Sequence, residues 1–197
     1  HLFYTQLKSR LAEFTKFSAE LKQFYRKKAP QQLQLKVGSN VIARYRRENH
    51  IFRGRIVATN QMLRKYKVFS VDYGRSYSLT SEDIWSVEKR FSEFPCMANL
   101  CGLPGIVSNY DNLYIVDRMA QVIPDKDPLI CEFLERAKDV YYVNIIVKKA
   151  SLKDSLIDKG LITEVCPGKL VVNKFWFYHK PQYTIYKGMK NMNIYRT

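Results

Sequence analysis

The sequence lacks the cysteine and histidine spacing that holds metals. Its four cysteines, Cys96, Cys101, Cys131 and Cys166, form no C-x-x-C pair, and His1, His50 and His179 lie far apart in the chain. Free, mostly buried thiols are the expectation, with no metal and no cofactor. Long apolar runs are missing too. None approaches the ~18 residues that a membrane-spanning helix needs, and no signal peptide is visible, so a soluble intracellular protein without a membrane partner is expected. G-x-S-x-G, H-E-x-x-H and P-loop patterns are all absent. The acids of the second half (Asp111, Asp117, Asp125, Asp127, Glu132, Glu135 and Asp139) are scattered and do not form a metal-ligand set. These absences argue against an enzyme and against a small-molecule substrate. Acidic residues are scarce overall: 18 Asp and Glu face 33 Lys and Arg, a net charge of +15. That excess favours anionic partners such as RNA or acidic protein surfaces.

What is present points to a folded domain. Hydrophobic residues make up 46% of the chain and aromatics 14%, too much apolar surface for a disordered segment. Leu2–Leu7 reads as the end of a strand. Leu7, Leu11, Phe14, Phe17, Leu21, Phe24 and Tyr25 then recur at helical spacing, which predicts an amphipathic helix of about six turns. Arg26-Lys27-Lys28 suits its C-terminus. From residue 36 the period changes to that of short strands: 41–45, 51–58, 66–72 and 77–80, with polar turns between them and a helical turn at Ser81-Glu82-Asp83 before Ile84-Trp85. Such a succession predicts a small antiparallel barrel. Further on, helices are expected within 109–122 and 127–137, the latter because Leu129, Phe133 and Leu134 fall on one helical face. A strand is expected over 140–148, and a helix from Ser151 to Gly160. The tail from Cys166 to Thr197 carries six Lys and Arg, no acidic residue and seven aromatics.

Several motifs in this order resemble the extended Tudor domain. Phe3-Tyr4-Thr5-Gln6 precedes the helix, and Gly38-Ser39-Asn40-Val41-Ile42-Ala43 and Ile51-Phe52-Arg53-Gly54-Arg55-Ile56 open the barrel. Val71-Asp72-Tyr73-Gly74 is the most specific piece. Phe94-Pro95, Leu103-Pro104-Gly105-Ile106 and Leu156-Ile157-x-x-Gly160-Leu161 follow. The resemblance covers about residues 1–165. It implies an α+β, mainly β fold in which a Tudor barrel is joined by a long helix to a nuclease-like OB-fold half. The expected parts are an OB-half strand and linker helix (1–35), the barrel (36–95), the return into the OB half (96–165) and a basic aromatic extension (166–197).

The resemblance also implies a function. Family members bind symmetrically dimethylated arginine in the tails of Piwi-clade Argonautes, as scaffolds of the piRNA pathway in the cytoplasmic, perinuclear germ granule (nuage). A methylated guanidinium stays positive while losing donors, and it stacks on ring faces. Mapped by position, the family's aromatic walls fall on Tyr45, Phe52, Ser70 and Tyr73, and its amide acceptor falls on Arg75; Asp72 lies beside them. Ser70 supplies no ring, and a cation at Arg75 cannot accept a hydrogen bond. An incomplete cage implies recognition of an arginine-containing tail without a methylation requirement. Two alternatives stand beside it: methylarginine binding through a partial cage, and single-stranded RNA binding by basic residues interleaved with aromatics (Arg44, Arg46 and Arg47; Arg64, Lys65 and Lys67). Ordinary barrel packing also accounts for Tyr45, Phe52 and Tyr73.

Overall fold

A computed structural model describes residues 2–29, 31, 33–108, 118, 130–147 and 149–164. Within these, the chain runs β1 (Leu2–Thr5), α1 (Lys8–Arg26), β2 (Asn40–Tyr45), β3 (His50–Asn60), β4 (Lys65–Ser70), β5 (Ser76–Thr80), β6 (Ile84–Ser86), α2 (Lys89–Ser92), β7 (Asn99–Gly102), β8 (Ile106–Ser108), β9 (Ile130–Ala137), β10 (Val140–Val147), β11 (Ala150–Ser151), α3 (Leu152–Asp158) and β12 (Ile162–Glu164). No described helix is long and apolar enough to cross a membrane. The described residues divide into two compact units: residues 6–98, and residues 2–5 with those from 99 onward.

The first unit is a five-stranded antiparallel sheet in the order β5-β4-β3-β2-β6. Alternation along the strands sends Val41 and Ala43, Phe52 and Ile56, Val68, Leu79 and Ile84 into one buried cluster. All five strands contribute to that cluster, so the sheet curls into the expected barrel. Gly54 makes the curl feasible, since a Cβ there would lie 2.4 Å from a Val68 methyl and 3.3 Å from the Phe52 ring. Ile42, Ile51 and Trp85 point the other way and pack with Leu21 and Tyr25 of α1 and with Phe91. This outer layer is pinned by Tyr25, whose hydroxyl donates to the Ser86 carbonyl (2.8 Å) and accepts from the Glu88 N–H (3.0 Å).

In the second unit β7 lies between β1 (antiparallel) and β10 (parallel), and β10 also pairs with β9 and β11. β8 and β12 form a separate antiparallel pair. Cys101, Leu103, Ile106, Tyr141, Val143, Ile145, Leu152, Leu156, Leu161 and Ile162 build its core. Burial pushes the Cys101 thiol up to about 12 and that of Cys131 to about 11, so both remain protonated, free thiols.

Two sequence expectations are corrected. Ile130–Ala137 is strand β9, not helix. It pairs antiparallel with β10 around a tight turn in which Lys138 adopts a left-handed φ of 55°. Phe133 and Leu134, which imitated a helix face, lie on opposite sides of this strand, half-exposed at 51% and 52%. β4 ends at Ser70, not Asp72. Val71-Asp72-Tyr73 forms a turn in which Gly74 (φ 70°) donates to the Ser70 carbonyl at 3.0 Å, and Ser70 N–H donates to the Arg75 carbonyl at 2.7 Å. The helix expected within 109–122 and the tail from 166 lie outside the described residues, apart from Arg118, which is helical.

Candidate functional site

Five rings converge at one end of the barrel. β2 places Val41, Ala43 and Tyr45 on its inner face, and Tyr45 pairs with His50 where β3 begins. The same alternation puts His50 in line with Phe52 on β3, and Tyr77 in line with Leu79 on β5. Tyr73 enters from the turn after β4. Tyr77 lies 4.9 Å from Tyr45 and 4.7 Å from Phe52, centroid to centroid. His50 stacks on Phe52 at 5.3 Å and 15° and meets Tyr73 edge-on at 4.6 Å. Tyr73 in turn touches Phe14 of α1 at 5.6 Å.

Burial dominates the electrostatics of the cluster. It raises the Tyr73 and Tyr77 hydroxyls above the ordinary phenol value, opposed by a hydrogen bond with Ser18 at Tyr73 and by the Arg75 cation at Tyr77. His50 is held below the ordinary imidazole value, again chiefly by burial, which favours the neutral ring. Rings in direct contact at 4.6 to 5.3 Å leave no slot between them. A flat cation sandwiched between two faces needs a contact of about 3.5 Å on each side, or roughly 7 Å between rings.

Of the residues the sequence singled out, Tyr45, Phe52 and Tyr73 are brought together here. Phe52 is buried, while Tyr45 and Tyr73 are half-buried. Ser70 is buried below them, its hydroxyl accepting the Tyr73 N–H at 3.3 Å. Arg75 is exposed at the rim. Asp72 faces inward and has an internal partner. Its carboxylate accepts from both Nε (2.9 Å) and Nη2 (2.5 Å) of Arg53, itself fully buried, and from the Met97 N–H (3.2 Å). Arg53 also donates to the carbonyls of Phe91, Phe94 and Pro95, fastening the segment after α2 to the barrel.

The basic residues do not form one patch. Arg44 and Arg46 both donate to the nearly buried Asp83, Arg44 at 2.9 and 3.0 Å and Arg46 at 2.8 Å. Arg47 is exposed beside them. Arg64, Lys65 and Lys67 are exposed at the β3–β4 hairpin, separated from the first group by the length of β3. Among the described residues no group of three His, Cys, Asp or Glu is gathered as a metal would require.

Sequence reasoning missed His50, Arg53 and Tyr77. The two rings had a signal: each lies two residues from an inward apolar residue on the same strand, Phe52 and Leu79. Arg53 had none, since its partner Asp72 lies on a different turn.

A Tudor domain family model matches residues 1–105. Protein tudor of Drosophila melanogaster is 45% identical over 175 residues, which are 84% of this chain and 7% of that protein. This chain therefore spans a small part of the relative's length. The fold matches that of the human TDRD1 extended Tudor domain solved with a symmetrically dimethylated peptide (TM-score 0.74, 18% identity, 83% of each chain covered). It equally matches domain TD3 of mouse TDRD1, solved with a MILI peptide containing dimethylarginine (TM-score 0.74, 17% identity, 84% of this chain and 87% of that one). The architecture is that of an extended Tudor domain, a Tudor barrel with a nuclease-like half.

Proposed function

The chain belongs to the Tudor domain family, and from that premise we propose that it is a non-catalytic module that binds arginine-containing peptides without requiring their methylation. The ring contacts carry this reading. Tyr77 touches both Tyr45 and Phe52, and His50 touches both Phe52 and Tyr73, so the space that a methylated guanidinium would enter is filled by the protein's own side chains. The exposed Arg75 at the rim adds a like charge that disfavours a cation pushed into the cluster. Ring edges and tyrosine hydroxyls at the surface of such a cluster still offer a cationic peptide cation–π and hydrogen-bonding partners.

The ligand class is supported by the dimethylated peptides held in the two related structures, one of them a MILI peptide containing dimethylarginine. On that basis the natural partner is the arginine-containing tail of a Piwi-clade Argonaute. The site of action is the cytoplasmic germ granule of the piRNA pathway. RNA is the weaker reading, because Arg44 and Arg46 are already engaged by Asp83 and the remaining cations are split between two ends of β3.

Calorimetric titration of the wild-type protein with a matched pair of arginine–glycine peptides, one unmodified and one symmetrically dimethylated, tests the proposal. Affinities within about threefold of each other, a difference under ~0.7 kcal/mol, are expected. A preference of tenfold or more for the methylated peptide overturns it.

A further inference from the structure

We infer that Tyr77 is the specificity-determining residue of this aromatic site, its ring standing where a dimethylated guanidinium would otherwise lie between Tyr45 and Phe52. The inference rests on the peptide-binding reading above and names the residue that sets its selectivity.

Tyr77 is fixed by the strand it belongs to. β5 alternates exposed Ser76, Ser78 and Thr80 with inward Tyr77 and Leu79, and register pairs Tyr77 with Val68 of β4. The ring is thus directed at the barrel mouth by the same pleat that buries Leu79. It is tilted by 43° to Tyr45 and 39° to Phe52, at centroid separations well below the roughly 7 Å that a cation between two faces needs. Position 70 carries no ring to hold the cluster open. Ser70 is small and buried, its hydroxyl turned to the Tyr73 backbone.

Arg75 adds a second restraint. It follows the Gly74 turn two residues before Tyr77, and its guanidinium interacts with the Tyr77 hydroxyl. A methylated arginine entering the cluster would have to displace the Tyr77 ring and approach the Arg75 charge. An unmodified arginine bound across the outer edges of the rings avoids the first cost.

The test compares the wild type, Tyr77→Ala and Tyr77→Thr with the matched unmodified and symmetrically dimethylated arginine–glycine peptides. Far-ultraviolet circular dichroism and a thermal melt establish that each variant is folded. Threonine retains strand propensity while vacating the ring's volume, and so serves if alanine weakens the fold. The folded variant is expected to bind the dimethylated peptide about tenfold more tightly than the wild type does, with little change for the unmodified one. A folded variant without that gain, whether it binds both peptides equally or neither, overturns the role of Tyr77. A wild type that binds neither peptide beside a variant that binds the methylated one supports Tyr77 as determinant and overturns the peptide-binding reading of the wild type. A wild type that already prefers the methylated form tenfold overturns both.

Discussion

The residue whose surroundings changed its meaning most is Asp72. By position it sits within the binding motif, yet its carboxylate is engaged by Arg53 and the Met97 N–H, deep in the first unit. Asp72 is 2% exposed and Arg53 0%, so removing one partner strands an uncompensated charge in a low-dielectric interior. Asp72→Ala is expected to lower stability by about 3–5 kcal/mol in urea unfolding. A loss under ~1 kcal/mol would mean that the three carbonyls around Arg53 satisfy its charge without the carboxylate. This pairing was hidden in the sequence, where the two residues stand 19 positions apart and each has a local alternative: Arg53 as one more surface cation of a strand, Asp72 as a turn acceptor before Gly74. Tyr45, Phe52 and Tyr73 were legible because a known pattern fixes their positions. His50 and Tyr77 were not, since neither occupies a position of that pattern; only the pleat brings them to the same place.

At the scale of elements, the barrel and α1 were the most readable parts. Alternating short strands and a long 3.6-residue period leave little ambiguity, and β2 to β6 fall within a few residues of expectation. β9 was misread for a physical reason: both of its faces are largely exposed, so it shows no two-residue alternation, and its apolar residues coincide with helical spacing. α1 is attached to the barrel through an apolar stripe and one buried hydroxyl. Tyr25→Phe keeps the ring contacts with Trp85 and Phe91 but leaves the Ser86 carbonyl and the Glu88 N–H without their partner. A loss of about 1–3 kcal/mol is expected, read as a lower urea midpoint at an unchanged slope. An unchanged midpoint would show that water replaces the hydroxyl and that the stripe alone holds the helix.

For the molecule as a whole, the +15 charge decides how binding responds to salt. A cationic peptide is repelled at long range by a cationic protein, so screening should help it. Its affinity is expected to hold or rise when salt increases from ~0.05 to ~0.2 M. Single-stranded RNA gripped by Arg47, Arg64, Lys65 and Lys67 would behave in the opposite sense, losing roughly 50-fold over the same interval at ~0.7 counterions released per phosphate contact. Peptide binding that collapses with added salt would point to an acidic ligand in place of an arginine-rich one.

A competition experiment in one solution bears most directly on recognition without methylation. The protein is saturated with a fluorescent arginine–glycine peptide, which unmodified and symmetrically dimethylated copies of the same peptide then displace, with fluorescence polarisation as the readout. Rings packed at 4.7 and 4.9 Å around Tyr77 imply that the two competitors act at concentrations within about threefold of one another. Displacement by the dimethylated copy at a tenfold lower concentration would contradict it, and would mean that the cluster opens to admit the methylated group.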